Sequence, residues 1–112
     1  MMAGAATVEL VEQLEQAGPF GAGAAAPRFA FPDQQIGFTK QVGQGHLKFS
    51  FSDGSGPKLD AICFGAAEAG LLSPLTQHKG QRFHLAGRVE INTWQGRQSV
   101  QLRLEDAAPA SL

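Results

Sequence analysis

The side chains able to carry acid–base, nucleophilic or metal chemistry are three histidines, one cysteine and ten carboxylates in a chain of 112 residues. Their spacing argues against each of these chemistries. His46, His78 and His84 stand at no metal-ligand interval from one another or from Cys63. Cys63 lies in an apolar run that disfavours a thiolate, and Asp53, Asp60, Glu90, Glu105 and Asp106 are too scattered for a two-metal phosphodiester site. The sequence therefore assigns no catalytic residue, no metal ligand and no cofactor to this chain. What remains is a set of cations and one indole at outward positions of strand-like segments: Lys40, His46, Lys48, Arg88, Trp94, Arg97 and Arg103. Cations that track phosphates, with an aromatic ring on which a base stacks, make a single-strand binding surface, and each stack is worth about 1–3 kcal/mol. Lys48, Arg88 and Arg97 are expected to meet phosphates and Trp94 to meet a base. His46 sits beside them, and Lys40 and Arg103 further off.

Those residues depend on a hairpin. Phe83 to Ile91 places Phe83, Leu85, Val89 and Ile91 on one face and His84, Arg88 and Glu90 on the other; Arg97 to Leu104 opposes Val100, Leu102 and Leu104 to Gln101 and Arg103. A period of two is that of half-buried strands. The connection Asn92-Thr93-Trp94-Gln95-Gly96 reads as a five-residue hairpin loop with Trp94 at its tip. Upstream, from Gln35, a first strand is expected with Ile36, Phe38 and Val42 on one face and Thr39 and Gln41 on the other. After Gly43-Gln44-Gly45, His46 to Ser52 turns Leu47, Phe49 and Phe51 inward and Lys48 and Ser50 outward. Lys58 to Phe64 is a third strand, apolar on both faces through a bulge or through two-sided burial. Gly65 to Lys79 leaves room for a helix with Leu71, Leu72 and Leu75 as its apolar side, ended by Gly80.

Three strands, a helix and two strands is the order of an all-β, five-stranded OB-fold Greek-key barrel, whose ligand face is flanked by the first-to-second and fourth-to-fifth loops. An SH3-like barrel does not readily accommodate the helix before the fourth strand. In front of the barrel, assigned to 35–107, lie a short N-terminal helix within 1–17 and a Gly/Pro/Ala-rich connector over 18–34; residues 108–112 form a tail. Thr7 can cap that helix, Val8, Leu10, Val11 and Leu14 form its stripe, and Gly18-Pro19 stops it. Gly21 to Ala26 fits a dinucleotide fingerprint in letters only, because it follows a helix instead of a strand and Pro27 closes it.

At 43% hydrophobic and 17% charged, the chain can bury one core without disulfides or metal. A net charge of −1 supplies no overall basic field, so polynucleotide contact has to come from a local patch and to be weak. A lone cysteine, no run of some 18 apolar residues and no leader-like start point to a cytoplasmic protein without membrane contact.

Three stretches in order resemble the carboxy-terminal part of the RecJ family, single-stranded-DNA-specific exonucleases of the DHH phosphoesterase superfamily. They are Leu14 to Phe29 with Gly18-Pro19-Phe20-Gly21-Ala22-Gly23 and Pro27-Arg28-Phe29; His46-Leu47-Lys48 with Leu59 to Phe64; and Asn92 to Arg97 running on to Leu104-Glu105-Asp106. The resemblance implies an OB module that helps surround single-stranded DNA. It also implies manganese- or magnesium-dependent hydrolysis by Asp-His-His motifs of preceding nuclease domains, none of which occurs in this sequence. Where the family carries Asn-Pro-Glu-Pro after the glycines, this chain has Ala24-Ala25-Ala26-Pro27. The expectation is a weak single-strand DNA-binding module of a DNA repair and recombination exonuclease, inert as a nuclease alone. The alternative is a docking module that packs on the nuclease domains or on a repair partner.

Overall fold

In a computed structural model, described for residue 3, residues 28–54 and residues 56–110, the chain forms strands β1 (Arg28–Val42), β2 (His46–Ser52) and β3 (Leu59–Cys63), a helix α1 (Leu72–Thr76), and strands β4 (Arg82–Trp94) and β5 (Arg97–Pro109). The strands close into a barrel in the order β1-β2-β3-β5-β4, with β4 returning to β1. Every neighbouring pair is antiparallel except β3 and β5. This is the five-stranded Greek-key barrel of the OB fold, with its helix between the third and fourth strands. The N-terminal helix, the body of the connector and the Ala24-Ala25-Ala26 segment lie outside the described residues. Among those described, no helix is long and apolar enough to cross a membrane.

The alternating apolar positions meet inside. Leu47, Phe49 and Phe51 of β2, Leu59, Ala61 and Cys63 of β3, Phe83, Leu85 and Val89 of β4, and Val100, Leu102 and Leu104 of β5 form one buried cluster with Phe31 and Ile36 of β1. Phe31 and Phe51 meet edge to face with centroids 5.3 Å apart. Leu75 of α1 is fully buried in the same cluster, and the helix stops at Thr76, four residues before the expected Gly80.

Several expected boundaries move. β1 starts at Arg28, not Gln35, so Arg28 to Gln34 belong to the barrel wall and not to a connector; β5 likewise runs past Leu104 into the expected tail. β4 continues through Asn92, Thr93 and Trp94, leaving Gln95-Gly96 as a two-residue turn. Both turn residues have positive φ, 50° and 77°, the signature of a type I′ hairpin whose twist suits the strands. Phe38 is exposed at 62% instead of facing the core, because the β1–β2 register shifts between Ile36 and Thr39. That bulge also covers Ser50, which points outward yet is buried, its Oγ accepting the Phe38 N–H at 3.0 Å.

Candidate nucleic-acid interface

Residues directly opposite each other on paired strands share a face. The registers therefore bring together a line of outward side chains: Lys40 of β1 opposes Lys48 of β2, Lys48 opposes Ile62 of β3, Ile62 pairs with Arg103 of β5, Arg103 opposes Arg88 of β4, and Arg88 opposes Arg28 of β1. The line is a spiral, because one circuit of the barrel returns to β1 twelve residues from where it left. Three of its steps set like charges directly opposite one another, an arrangement that costs stability in a sheet. Ile62, on this outer wall, is only 6% exposed although it is not part of the central cluster. The stems of Lys48 and Arg103 stand beside it, so the cations have an apolar floor between them.

Phe64 follows β3 on the same side and is 54% exposed. The Arg103 guanidinium carbon lies 4.8 Å from its ring centroid, and the His46 ring meets it edge-on at 5.6 Å. His46 also fixes the backbone there: its Nδ1 accepts the Gly65 N–H at 2.8 Å, while the Gly45 carbonyl accepts the Ala67 N–H at 3.0 Å. These two bonds staple the β1–β2 turn to the segment after β3. His46 is thus a positioning residue for the phenyl ring.

At the β4–β5 side the register shifts between Ala86 and Gly87, since Gly87 opposes Leu104 and Ala86 opposes Asp106. Glu105 is the extra residue of this bulge, and the bulge aims it at the arginines. Arg28 Nε donates to Glu105 Oε1 at 2.6 Å, and Arg88 Nε stands 3.3 Å from Oε2. The Arg28 hydrogen bond holds the Glu105 carboxyl below its ordinary pKa, with help from the charges of Arg28, Arg88 and Arg103. Asp60 and Glu90 lie in the adjoining line, two residues along their strands, so the basic spiral is narrow. Burial pushes the Cys63 thiol up from 9.0, and this buried side chain takes no part in the surface.

The expected site residues thus fall into two groups. Lys40, His46, Lys48, Arg88 and Arg103 lie on or beside this one line, including the two that the sequence placed further off, but the line circles the barrel, so that Lys40 and Lys48 on β1 and β2 face a different side from Arg88 and Arg103 on β4 and β5. Arg97 is six residues along β5 from Arg103, roughly 20 Å at the rise of an antiparallel strand. Trp94 ends β4 with its backbone opposite Arg97; its side chain lies outside the described residues. Arg28, Ile62 and Phe64 were missed by the sequence reading. Asp60 had to point outward, and the parity of a strand then puts Ile62 and Phe64 beside it, a signal that the apolar character of the segment obscured.

Among the described residues no three of His, Cys, Asp and Glu gather as metal ligands. The manganese or magnesium implied by the resemblance finds no fitting donor set among them.

The sequence profile of the RecJ OB domain matches residues 1–106. The chain belongs to the RecJ OB domain family. It is 34% identical over 106 residues to the single-stranded-DNA-specific exonuclease RecJ of Dickeya dadantii (strain 3937), covering 92% of this chain but 17% of that enzyme. The barrel superposes on the mitochondrial single-stranded DNA binding protein Rim1 of S. cerevisiae with a TM-score of 0.56, covering 76% of this chain and 95% of the other; at 15% identity this likeness concerns the fold. Family and fold thus agree: the chain is a RecJ OB domain built on an OB barrel, and it spans about a sixth of the length of the curated relative it matches.

Proposed function

We propose that the chain is the single-strand DNA-binding module of a RecJ-type exonuclease acting in DNA repair and recombination, that it holds the strand without cutting it, and that nuclease domains carry the hydrolysis. The observation that carries this reading is the line Lys40–Lys48–Ile62–Arg103–Arg88–Arg28. Glu105 offsets the arginine pairs in part, whereas Lys40 faces Lys48 directly, and an anionic strand following the line makes each like-charged pair favourable. Phe64 supplies a ring for a base within the line, and Trp94 with Arg97 supplies a second contact at the hairpin tip.

The test is a fluorescence titration of a labelled thymidine oligomer at 50 and 200 mM salt. Binding about micromolar or weaker, falling steeply with salt, is expected. Replacing Lys48 by Ala lowers affinity and flattens the salt dependence by about 0.7 in log–log slope, the share of one single-strand phosphate. An unchanged slope removes Lys48 from the contact.

A docking role is favoured by a separate observation. A shallow, largely apolar surface formed by Ala30, Leu85, Ala86, Ala107 and Ala108, with His84 and Asp106 beside them, lies on the β1–β4–β5 wall, and small side chains there permit close approach of another domain. The nuclease domains of the parent enzyme are the proposed partner. Substituting Ala86 by Glu is expected to abolish association with those domains while leaving oligomer binding intact.

A further inference from the structure

The spiral contains a recess of about 370 Å³ lined by Phe64, Arg88, Arg103, Leu104 and Glu105, at the small end of the roughly 300–1,000 Å³ typical of small-ligand clefts. Its lining is one exposed ring, two guanidinium groups and one carboxylate. That carboxylate is poorly shared. Glu105 makes a short bond to Arg28, while Arg88 Nε, fully shielded from solvent, lies 3.3 Å away without an aligned acceptor. Arg103 turns to the face of Phe64. The arginines thus offer more donors than two carboxylate oxygens satisfy, and an unsatisfied shielded donor is costly.

We propose that this recess is a nucleotide subsite closed by the chain's own carboxylate: Glu105 stands where a phosphodiester of the bound strand belongs, and binding displaces it. The inference rests on the single-strand reading above. A phosphodiester brings the same planar-fork chemistry to arginine as a carboxylate does, and its charge is matched to the same cluster. The base attached to it reaches Phe64, whose ring already carries the Arg103 guanidinium on one face. Glu105 is suited to leaving because it is a bulge residue with no partner on β4, so its rotation breaks no rung of the ladder. The acidic side chain thereby keeps the arginines paired in the empty domain and selects against small monoanions that cannot repay the lost ion pairs.

The experiment compares wild type, Glu105→Gln, Glu105→Gln/Arg88→Gln and Lys48→Ala in the same titration with the thymidine oligomer, each variant first checked by circular dichroism for a cooperative melt. Glu105→Gln is expected to bind about 3- to 10-fold tighter at 50 mM salt, the gain from releasing two exposed ion pairs. Its log–log salt slope stays near the wild-type value, because the same phosphate is contacted in both proteins. The added Arg88→Gln change returns affinity to the wild-type value or below. Equal or weaker binding by Glu105→Gln overturns the proposal, because the carboxylate then either does nothing or holds the arginines in place for the strand. If Lys48→Ala weakens binding and Glu105→Gln leaves it unchanged, the closed subsite alone falls. If no folded variant binds the oligomer, the single-strand reading falls with it.

Discussion

Replacing Gly87 by Ala tests the geometry on which the cationic line depends. Gly87 is buried in β4 opposite Leu104, one residue before Arg88. A Cβ built there collides with the backbone carbonyl of Arg103 and crowds the Leu104 Cα at 3.0 Å. Backbone cannot swing aside as a side-chain end can, so β4 and β5 have to separate at the bulge. Overpacking costs about 1–3 kcal/mol when side chains give way. Here the obstacle is a ladder strand, and about 3 kcal/mol is expected, even after the roughly 0.5–1 kcal/mol that an Ala contributes by restricting the unfolded chain. For a domain near 100 residues that lowers the melting temperature by roughly 12 °C or more. Gly37→Ala is the calibrant. Its Cβ meets only Ser50 Oγ, at 2.7 Å, and rotation of that hydroxyl sacrifices one hydrogen bond to Phe38, about 1 kcal/mol. Thermal melts with urea titrations measure both. A Gly87→Ala melt within about 3 °C of wild type, or a larger loss for Gly37→Ala, would show that β4 and β5 are not in the close register that pairs Arg88 with Arg103.

Two further outcomes follow from the same wall. Phe64→Ala removes an exposed ring whose loss exposes no core, so it weakens oligomer binding by about 1–3 kcal/mol with an unchanged melt; Trp94→Ala is expected to weaken binding by a similar amount, and wild-type affinity in either variant removes that ring from the contact. Because the Glu105 carboxyl titrates below its ordinary 4.5 in the folded chain, its ion pairs contribute fully above that value and are lost as pH falls through the lowered one. The wild-type melting temperature therefore falls more between pH 5 and about 3 than that of Glu105→Gln, and parallel curves would refute the assignment.

The parity of side chains made the barrel legible. Leu47, Phe49 and Phe51, or Val100, Leu102 and Leu104, announce a buried face because nothing interrupts their alternation. Each misreading falls where the sequence signals an interruption weakly. The β1 bulge turns Phe38 outward, and Gly37 is its one mark in the letters. The loop seemed long because Asn92 and Thr93 are polar, yet polar residues suit a strand that stands clear of the core, as both do here. Arg28 was read with a Gly/Ala/Pro-rich connector, although its place is set by pairing with a strand sixty residues later. The gathering of Arg88 with Arg103, and their distance from Arg97, are properties of register, which periodicity alone does not specify.

The join between β3 and β5 is brief: Asp60, Ala61 and Ile62 meet Gln101, Leu102 and Arg103 in parallel, some forty residues apart in sequence. Such a contact forms only after the intervening chain has folded back, which makes it a late event and a slow one. During synthesis β5 is the last of these five strands to emerge. Until it docks, β2 and β4 are joined only through β1, and the barrel stays open between Ile62 and Arg88. The single parallel seam is therefore the closure of the barrel, and the side-by-side placement of Ile62 and Arg103 is acquired only with it.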